Sequence, residues 1–222
     1  MTHTYHLKHA RNSSHQQIAN LVRQMNRGPV LDVGSAQGML GQLIQGSGIA
    51  IDAVEPNPTW ADEGRPYYRN TYVGMIESAS LPERHYQVVV CADILEHTAD
   101  PLGVLNQLRH YAADGAAFIV SLPNVAHLSV RLMLLLGLFP KMERGILDKT
   151  HLQFFTRRTA IDLLERAGLR VQRVSATGVP LELMGRSETS RSLLRTIGRL
   201  QEPLVLLLPR MFAFQWIFVA TA

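Results

Sequence analysis

Four acids and two histidines stand where this chain could do chemistry. Asp93, Glu96 and His97 come from ADILEH, at the end of the apolar run YQVVVCAD, and His151 comes from LDKTHLQFF, far along the chain. Asp32 lies in VLDVGSAQGML and Glu55 closes IAIDAVEP. If a helical turn starts at Asp93, positions 93, 96 and 97 share a face, because residues three and four apart are neighbours on a helix. Imidazoles near neutrality can take a proton, and a mixture of oxygen and nitrogen ligands can hold a divalent ion. A carboxylate inside an apolar strand, as Asp32 is, needs a partner.

These residues need elements to position them. VLDVGSAQGML reads as a buried strand (Val30, Leu31, Val33), a tight turn from Gly34 to Gly38, and a helix opening at Met39. Glycines at such a turn permit dihedrals closed to other residues and let a ligand lie against main-chain N–H groups. A second strand, Ile49 to Pro56, ends in Glu55. Strand, turn, helix, strand and acid form the nucleotide-binding half of a doubly wound α/β fold. The spacing Gly34-x-x-x-Gly38-x-x-Gly41 does not fit the GxGxxG of a nicotinamide-dependent oxidoreductase.

The remaining elements follow in order. Residues 13–26 form an amphipathic helix with Ser13 or Ser14 as cap, stopped by Gly28-Pro29. A short helix is expected over residues 58–64, a third strand at NTYVG and a fourth over Tyr86 to Asp93, apolar throughout as a strand covered on both faces should be. Asp100-Pro101 caps a helix with Leu102, Leu105 and Leu108 on its buried stripe. A turn at residues 113–115 leads to strand five, which ends at Pro123-Asn124. The alternation then breaks into a very apolar helix, Leu128 to Leu138, and a basic loop. It resumes with a helix over residues 156–167, a strand over 169–176, a helix within 187–208 and a last strand, FAFQWIFVATA. Two closing strands separated by a long excursion suggest an antiparallel strand added to a parallel sheet.

The totals bound the class. A chain of 222 residues, 46% hydrophobic and 18% charged, is expected to form one α/β domain. Its net charge of +4 permits anionic partners without requiring them. The single cysteine, Cys91, excludes an internal disulfide framework and reads as a buried strand residue of a cytosolic protein. The amino terminus lacks the apolar core of a secretion signal, and His3, His6 and His9 are scattered, solvated residues rather than a metal site.

With these pieces in order, the chain resembles the class I S-adenosylmethionine-dependent methyltransferases. The resemblance rests on VLDVGSAQG, DAVEPNP, VVVCADILEH with the following Asp-Pro, DGAAFIVSLPN and the terminal strand pair. More closely, SLPNVAHLSVRLMLLLG followed by GILDKTHLQFFT is similar to small bacterial methyltransferases related to the ubiquinone-pathway O-methyltransferases, relatives of a type often associated with polysaccharide or lipid-linked glycan assembly. It implies a Rossmann-like sheet of seven strands in the order 3-2-1-4-5-7-6 with strand 7 antiparallel, filling residues 1–222 as one domain with a substrate cap over about 124–155.

It also implies residue roles. Asp32 and the main chain of Gly34, Ser35, Ala36 and Gly38 would face the methionine end of S-adenosylmethionine, whose ammonium, carboxylate and sulfonium match an acid plus backbone amides. Glu55, followed by Pro56, would accept from both ribose hydroxyls. The acid that many relatives aim at adenine is replaced by Met75, leaving apolar contact from Met75 or Ile76 and the Ile76 backbone. Asp93 would lie beside the cofactor.

Three readings of the ADILEH cluster stand together. His97 or His151 is the general base of an O-methyltransferase, a role worth roughly a hundred- to ten-thousand-fold in rate. Alternatively Asp93, Glu96, His97 and His151 hold a divalent metal, in a pattern similar to the ExxEH plus distal histidine of metal-dependent relatives. In the third, Glu96 and His97 tie the loop to the sheet and His151 caps the following helix.

The acceptor is expected to be a small-molecule, sugar or lipid-linked hydroxyl. Arg131, Lys141, Arg144 and Lys149 flank the apolar 128–138 helix and would suit a lipid-linked substrate at a membrane surface, while core packing is the simpler expectation for that helix. At about eleven residues it falls short of the roughly twenty that span a bilayer. Arg210 and Gln215 interrupt the apolar carboxyl-terminal run, which reads as a helix end and a strand rather than an anchor. Basic residues are dispersed without interleaved aromatics, which argues against nucleic acid. A second function class is a non-catalytic partner protein of the kind seen in methionine biosynthesis, with its SxPN…RLxLLL stretch.

Overall fold

The computed structural model describes residues 13–180, 198 and 201–222. Its sheet has seven strands in the order β3-β2-β1-β4-β5-β7-β6. They are β1 (Val30–Val33), β2 (Ile51–Glu55), β3 (Asn70–Val73), β4 (Tyr86–Ala92), β5 (Ala112–Pro123), β6 (Arg170–Thr177) and β7 (Gln215–Thr221). Strands β1 to β5 pair in parallel, and β7 runs antiparallel to both β5 and β6, as expected from the closing excursion.

Side-chain alternation divides the core. Val30, Val88, Val90 and Ile119 face one side, against Ile18 and Val22 of helix α1 (Ser14–Met25) and Leu40 and Ile44 of helix α2 (Met39–Ile44). Leu31, Val89, Cys91 and Phe118 face the other, against Leu105 and Leu108 of helix α4 (Pro101–Tyr111) and Leu164 of helix α6 (Arg157–Arg166). Helix α3 (Pro58–Gly64) follows β2, capped by Asn57, whose side chain accepts from the N–H groups of Thr59 and Trp60. At α1 the cap is Ser13, which accepts from the Gln16 N–H. Asp100 caps α4 by accepting from the Gly103 N–H.

Two boundaries differ from expectation. Residues 113–115 fall inside β5 as a bulge: register moves from Tyr86↔Ala112 to Val88↔Ala117, and Gly115 takes φ 70° there. The turn chemistry is present, but strand pairing continues on either side of it. Helix α5 covers only Leu128–Leu135, because Gly137 at φ 71° breaks the helical path. Core packing does not account for α5, since only Val130 of its residues is buried.

The expected helix within residues 187–208 falls mostly outside the described residues; residues 198 and 201–207 are helical. His3, His6 and His9 also lie outside them. Among the described residues no helix is long and apolar enough to cross a membrane.

Candidate functional site

The carboxyl ends of β1, β2 and β4 converge on the turn after β1. Gly34 (φ 68°), Ala36 (φ 47°) and Gly38 (φ 84°) all enter the left-handed region. A Cβ on Gly34 would strike the Ile94 side chain from the connection after β4, and one on Gly38 would come within 2.9 Å of the Gly64 Cα. The glycines were expected to make room for a ligand; they also let the turn pack against its own neighbours. Ala36 carries the same backbone twist with a methyl group.

Alternation along β1 places Asp32 on the α2 side, where it is 3% exposed. Its Oδ2 accepts from the Tyr68 hydroxyl at 2.7 Å, and that hydroxyl oxygen accepts from the Gly41 N–H at 3.3 Å. Burial pushes the Asp32 carboxyl up to about 7; the Tyr68 hydroxyl pulls it back and the neighbouring Glu55 charge pushes with burial. Glu55, also 3% exposed, accepts from the Ala36 N–H at 2.8 Å and the Asn57 N–H at 2.9 Å. Burial raises its carboxyl against those two bonds. Each oxygen retains a second lone pair, so the acid both fastens the turn to β2 and keeps acceptor capacity. Pro56 follows it, exposed. Buried Ser35 donates its N–H to the Val54 carbonyl at 3.3 Å.

The two residues expected at adenine separate. Met75 is 54% exposed, whereas the Ile76 side chain joins the core under α4 and its carbonyl accepts from Gln107 at 2.8 Å. Core packing thus covers the Ile76 side chain, and Met75 is the more exposed of the two.

ADILEH forms a 3-10 turn over Leu95–His97, and the chain returns to it from the far side of α5. The Glu96 carbonyl accepts from the N–H groups of Leu152 (2.8 Å) and Gln153 (3.0 Å). These bonds bring His151 to His97, with ring centroids 4.8 Å apart and edge-on. One ligand atom from each of Glu96, His97 and His151 lies within 4.8 Å of the others. The His151 Nδ1 is 3.0 Å from the Ile146 carbonyl, which fixes Nδ1 as the N–H and leaves the Nε2 lone pair available. Burial lowers the His151 pKa, favouring that neutral form. The His97 Nδ1 meets the Thr150 carbonyl at 3.3 Å and the Thr150 hydroxyl at 3.2 Å.

Glu96 is 1% exposed, and neither carboxylate oxygen has a hydrogen-bond partner in another described residue. Burial raises its pKa well above the ordinary range, and the charges of Asp93 and Asp148 push the same way. Asp93 does not join this cluster. At φ 59° it turns its carboxylate toward β5 and β7, accepting from the Ser121 hydroxyl at 2.8 Å and from the Gln215 amide. The four-ligand expectation therefore reduces to three, because Ser121 and Gln215 satisfy the fourth acid from another direction.

Tyr68 and Ser121 were not singled out by their sequence positions, and Gln215 was noted only as an interruption of the apolar carboxyl-terminal run. Gln215 had a signal: it is the one polar residue at the start of an otherwise apolar strand. Tyr68 had none, since its bond to Asp32 closes over thirty-six residues.

A seven-stranded sheet of this order, with a glycine turn flanked by two buried acids at its carboxyl end, defines the class I methyltransferase architecture. Residues 7–174 match the family model described as a methyltransferase domain, and the chain belongs to that family, whose methyl donor is S-adenosylmethionine. It is similar to the ubiquinone biosynthesis O-methyltransferases of Rickettsia akari (strain Hartford), 29% identical over 46% of this chain and 43% of the relative, and of Aeromonas salmonicida (strain A449), 25% identical over 66% and 64%. The aligned part thus spans less than two thirds of either relative. Among solved structures, a SAM-dependent methyltransferase from Archaeoglobus fulgidus superimposes with TM-score 0.63 at 19% identity, over 94% of this chain and 95% of that one. Magnesium protoporphyrin IX methyltransferase from Synechocystis PCC 6803 does so with TM-score 0.61 at 15% identity, over 93% and 83%. These likenesses are of fold.

Proposed function

We propose that this methyltransferase methylates a hydroxyl group of a small-molecule, sugar or lipid-linked acceptor, with His151 taking the hydroxyl proton. The observation that carries the reading is the meeting of His151 and His97 beside the buried carboxyl of Glu96, which has no hydrogen-bond partner in another described residue. Weaker support comes from the names of the two O-methyltransferase relatives.

The turn suits the donor. Asp32, buried with a single hydroxyl partner and a raised pKa, is matched to an ammonium, which would restore its charge. The Oε1 of Gln37 is another buried acceptor in the turn with no partner among the described residues. Glu55 presents its remaining lone pairs toward the ribose position, with Pro56 beyond it, and Met75 gives adenine an apolar contact. When bound, S-adenosylmethionine supplies an electrophilic methyl group. The chain's residues hold it, orient the acceptor and receive the proton; such positioning supplies much of the rate of an in-line displacement. Residues 124–155 act as the acceptor's cap: they leave β5 and return where Asn124 bridges Phe155.

A second reading shares the same residues. Glu96, His97 and His151 fit a divalent cation, because one ligand atom from each lies within 4.8 Å of the others and a buried carboxyl beside two imidazoles is an oxygen–nitrogen donor set such an ion accepts. A cation there would bind and acidify the acceptor hydroxyl. Tritiated methyl transfer to a panel of sugar, phenol and prenyl-linked hydroxyls, with and without EDTA, tests both. Turnover retained in EDTA and lost in His151→Ala supports the base; turnover lost in EDTA and restored by Mg2+ supports the cation. If His97→Ala and His151→Ala both leave methyl transfer intact, the cluster has no catalytic role.

A further inference from the structure

The exposed large apolar side chains of the described residues gather at one end of the sheet. Among the described residues, every large apolar side chain left exposed lies at or beyond the carboxyl end of the parallel strands. Val73 and Met75 finish β3. A larger group occupies the 124–155 excursion from β5, where Leu135 is 81% and Leu136 74% exposed. A third group lies between β6 and β7, where Leu206 is 81% and Leu207 78% exposed. Gln201 anchors that last segment at the same end: its side chain bonds both the N–H and the carbonyl of Val179, two residues past β6. Soluble surfaces scatter single apolar residues, whereas a segregated ledge marks an interaction surface.

We propose that this ledge docks the enzyme on an anionic lipid bilayer, with the acceptor's mouth turned toward the lipid. Two features select a bilayer over a protein. The side chains are predominantly leucine, which suits hydrocarbon and is under-represented among the anchors of protein interfaces. The charge around them is positive: in residues 125–150, Arg131, Lys141, Arg144 and Lys149 stand against Glu143 and Asp148. Lys149 pairs with Glu143 and Asp148 is engaged by Thr150. Among the described residues Arg131, Lys141 and Arg144 have no acidic partner, Arg131 donating only to the Ala126 carbonyl, so their charge is there to meet anionic headgroups. Eight residues of α5 extend about 12 Å, far short of a span, so the helix lies in the interface. Leu152 and Phe154 flank His151 within the same ledge, so an acceptor held by a lipid tail would reach the histidines without leaving the membrane.

The inference builds on the hydroxyl-methylation reading for its orientation, but its test needs no turnover. The full chain is co-sedimented with vesicles of phosphatidylcholine alone and of phosphatidylcholine mixed with phosphatidylglycerol. Partition onto the mixed vesicles is expected to be about tenfold stronger and to weaken with salt. The double variant Leu135→Glu/Leu136→Glu should lose about tenfold in partition while binding S-adenosylhomocysteine as before, since both side chains are surface residues. Absence of partition, or partition indifferent to the double variant, overturns the proposal. So does a dimer, seen by sedimentation without vesicles and dissolved by the same variant, because the ledge would then belong to a second copy. None of these outcomes bears on methyl transfer to a soluble hydroxyl, which is measured separately.

Discussion

Asp52 and Asp32 sit on neighbouring strands, 1% and 3% exposed, and their carboxyls move in opposite directions. Register sets Asp52 beside Leu31, one residue below Asp32, and alternation turns the two acids to opposite faces. Burial raises both. At Asp52 it is outweighed by Arg69, whose Nε and Nη2 grip the carboxylate at 2.9 and 2.7 Å, with Tyr86 and Asn70 adding bonds at 3.1 Å. At Asp32 only the Tyr68 hydroxyl opposes burial, and the carboxyl rises to about 7. Glu96, whose carboxylate has no hydrogen-bond partner in another described residue, is likewise raised by burial, with the charges of Asp93 and Asp148 pushing the same way. Completed hydrogen bonding suits an acid that holds strands together; incomplete bonding suits one that meets a ligand, the role proposed above for Asp32 and Glu96.

The largest effect should come from the least satisfied region. His151→Ala is expected to cut methyl transfer by roughly a hundredfold or more while S-adenosylhomocysteine affinity and Tm stay as in the parent. His151→Ala with lower cofactor affinity but undiminished turnover would move His151 from the acceptor to the donor side of the cleft.

Asp52→Ala should do the reverse. It takes the acceptor from the buried Tyr86 hydroxyl, leaving it only Tyr72, and removes the carboxylate under Arg69, a loss of about 3 kcal/mol, or roughly 10 °C in Tm for a chain of this size. Calorimetric affinity for S-adenosylhomocysteine should not change. If affinity falls with stability, the division between structural and ligand-facing acids fails.

Asp32→Asn sharpens the same contrast. Loss of a charge-assisted contact to the donor's ammonium should weaken S-adenosylhomocysteine binding roughly ten- to a hundredfold. The sign with pH follows from the raised pKa. Between the unfolded value near 4 and the folded value of about 7, the native state binds the extra proton, so this group's stability is full at low pH and is lost as pH rises through 7. Urea melts of the parent at pH 5.5 and 8.0 should differ by about 2 kcal/mol from this source, and Asp32→Asn should abolish that part. Ligand binding runs the other way. Affinity should strengthen from pH 6 to 8 as Asp32 ionises to meet the ammonium.

Much of this was legible in the residues. VLDVGSAQGML fixed the strand, turn and helix because apolar periodicity and glycine stereochemistry are local. The antiparallel β7 followed from the excursion before FAFQWIFVATA. The meeting of His97 and His151 was visible only as a possibility, since it depends on main-chain bonds from Leu152 and Gln153 to the Glu96 carbonyl. The direction of Asp93 was not legible, because Ser121 and Gln215 come from two other strands. Nor was the exposure of α5: a helix this apolar has the same sequence whether the core covers it or not, and only the fold decides.

Ala36→Gly should have the smallest effect, and it tests how the turn is built. Ala36 sits at φ 47°, which costs an L-residue roughly 1–2 kcal/mol that glycine would not incur. Against that, glycine adds about 0.4–1 kcal/mol of unfolded-chain entropy and gives up a buried methyl worth about 0.8 kcal/mol. These contributions nearly cancel, so Tm should move by no more than about 3 °C in either direction. S-Adenosylhomocysteine affinity should hold too, because the Ala36 N–H and its bond to Glu55 survive the substitution. A fall in Tm well beyond that range would mean that the Ala36 methyl, and not the Glu55 carboxylate, holds the turn against the sheet. The turn would then be a packed structural element like the Asp52 network, and its glycines would be explained by Ile94 and Gly64 alone.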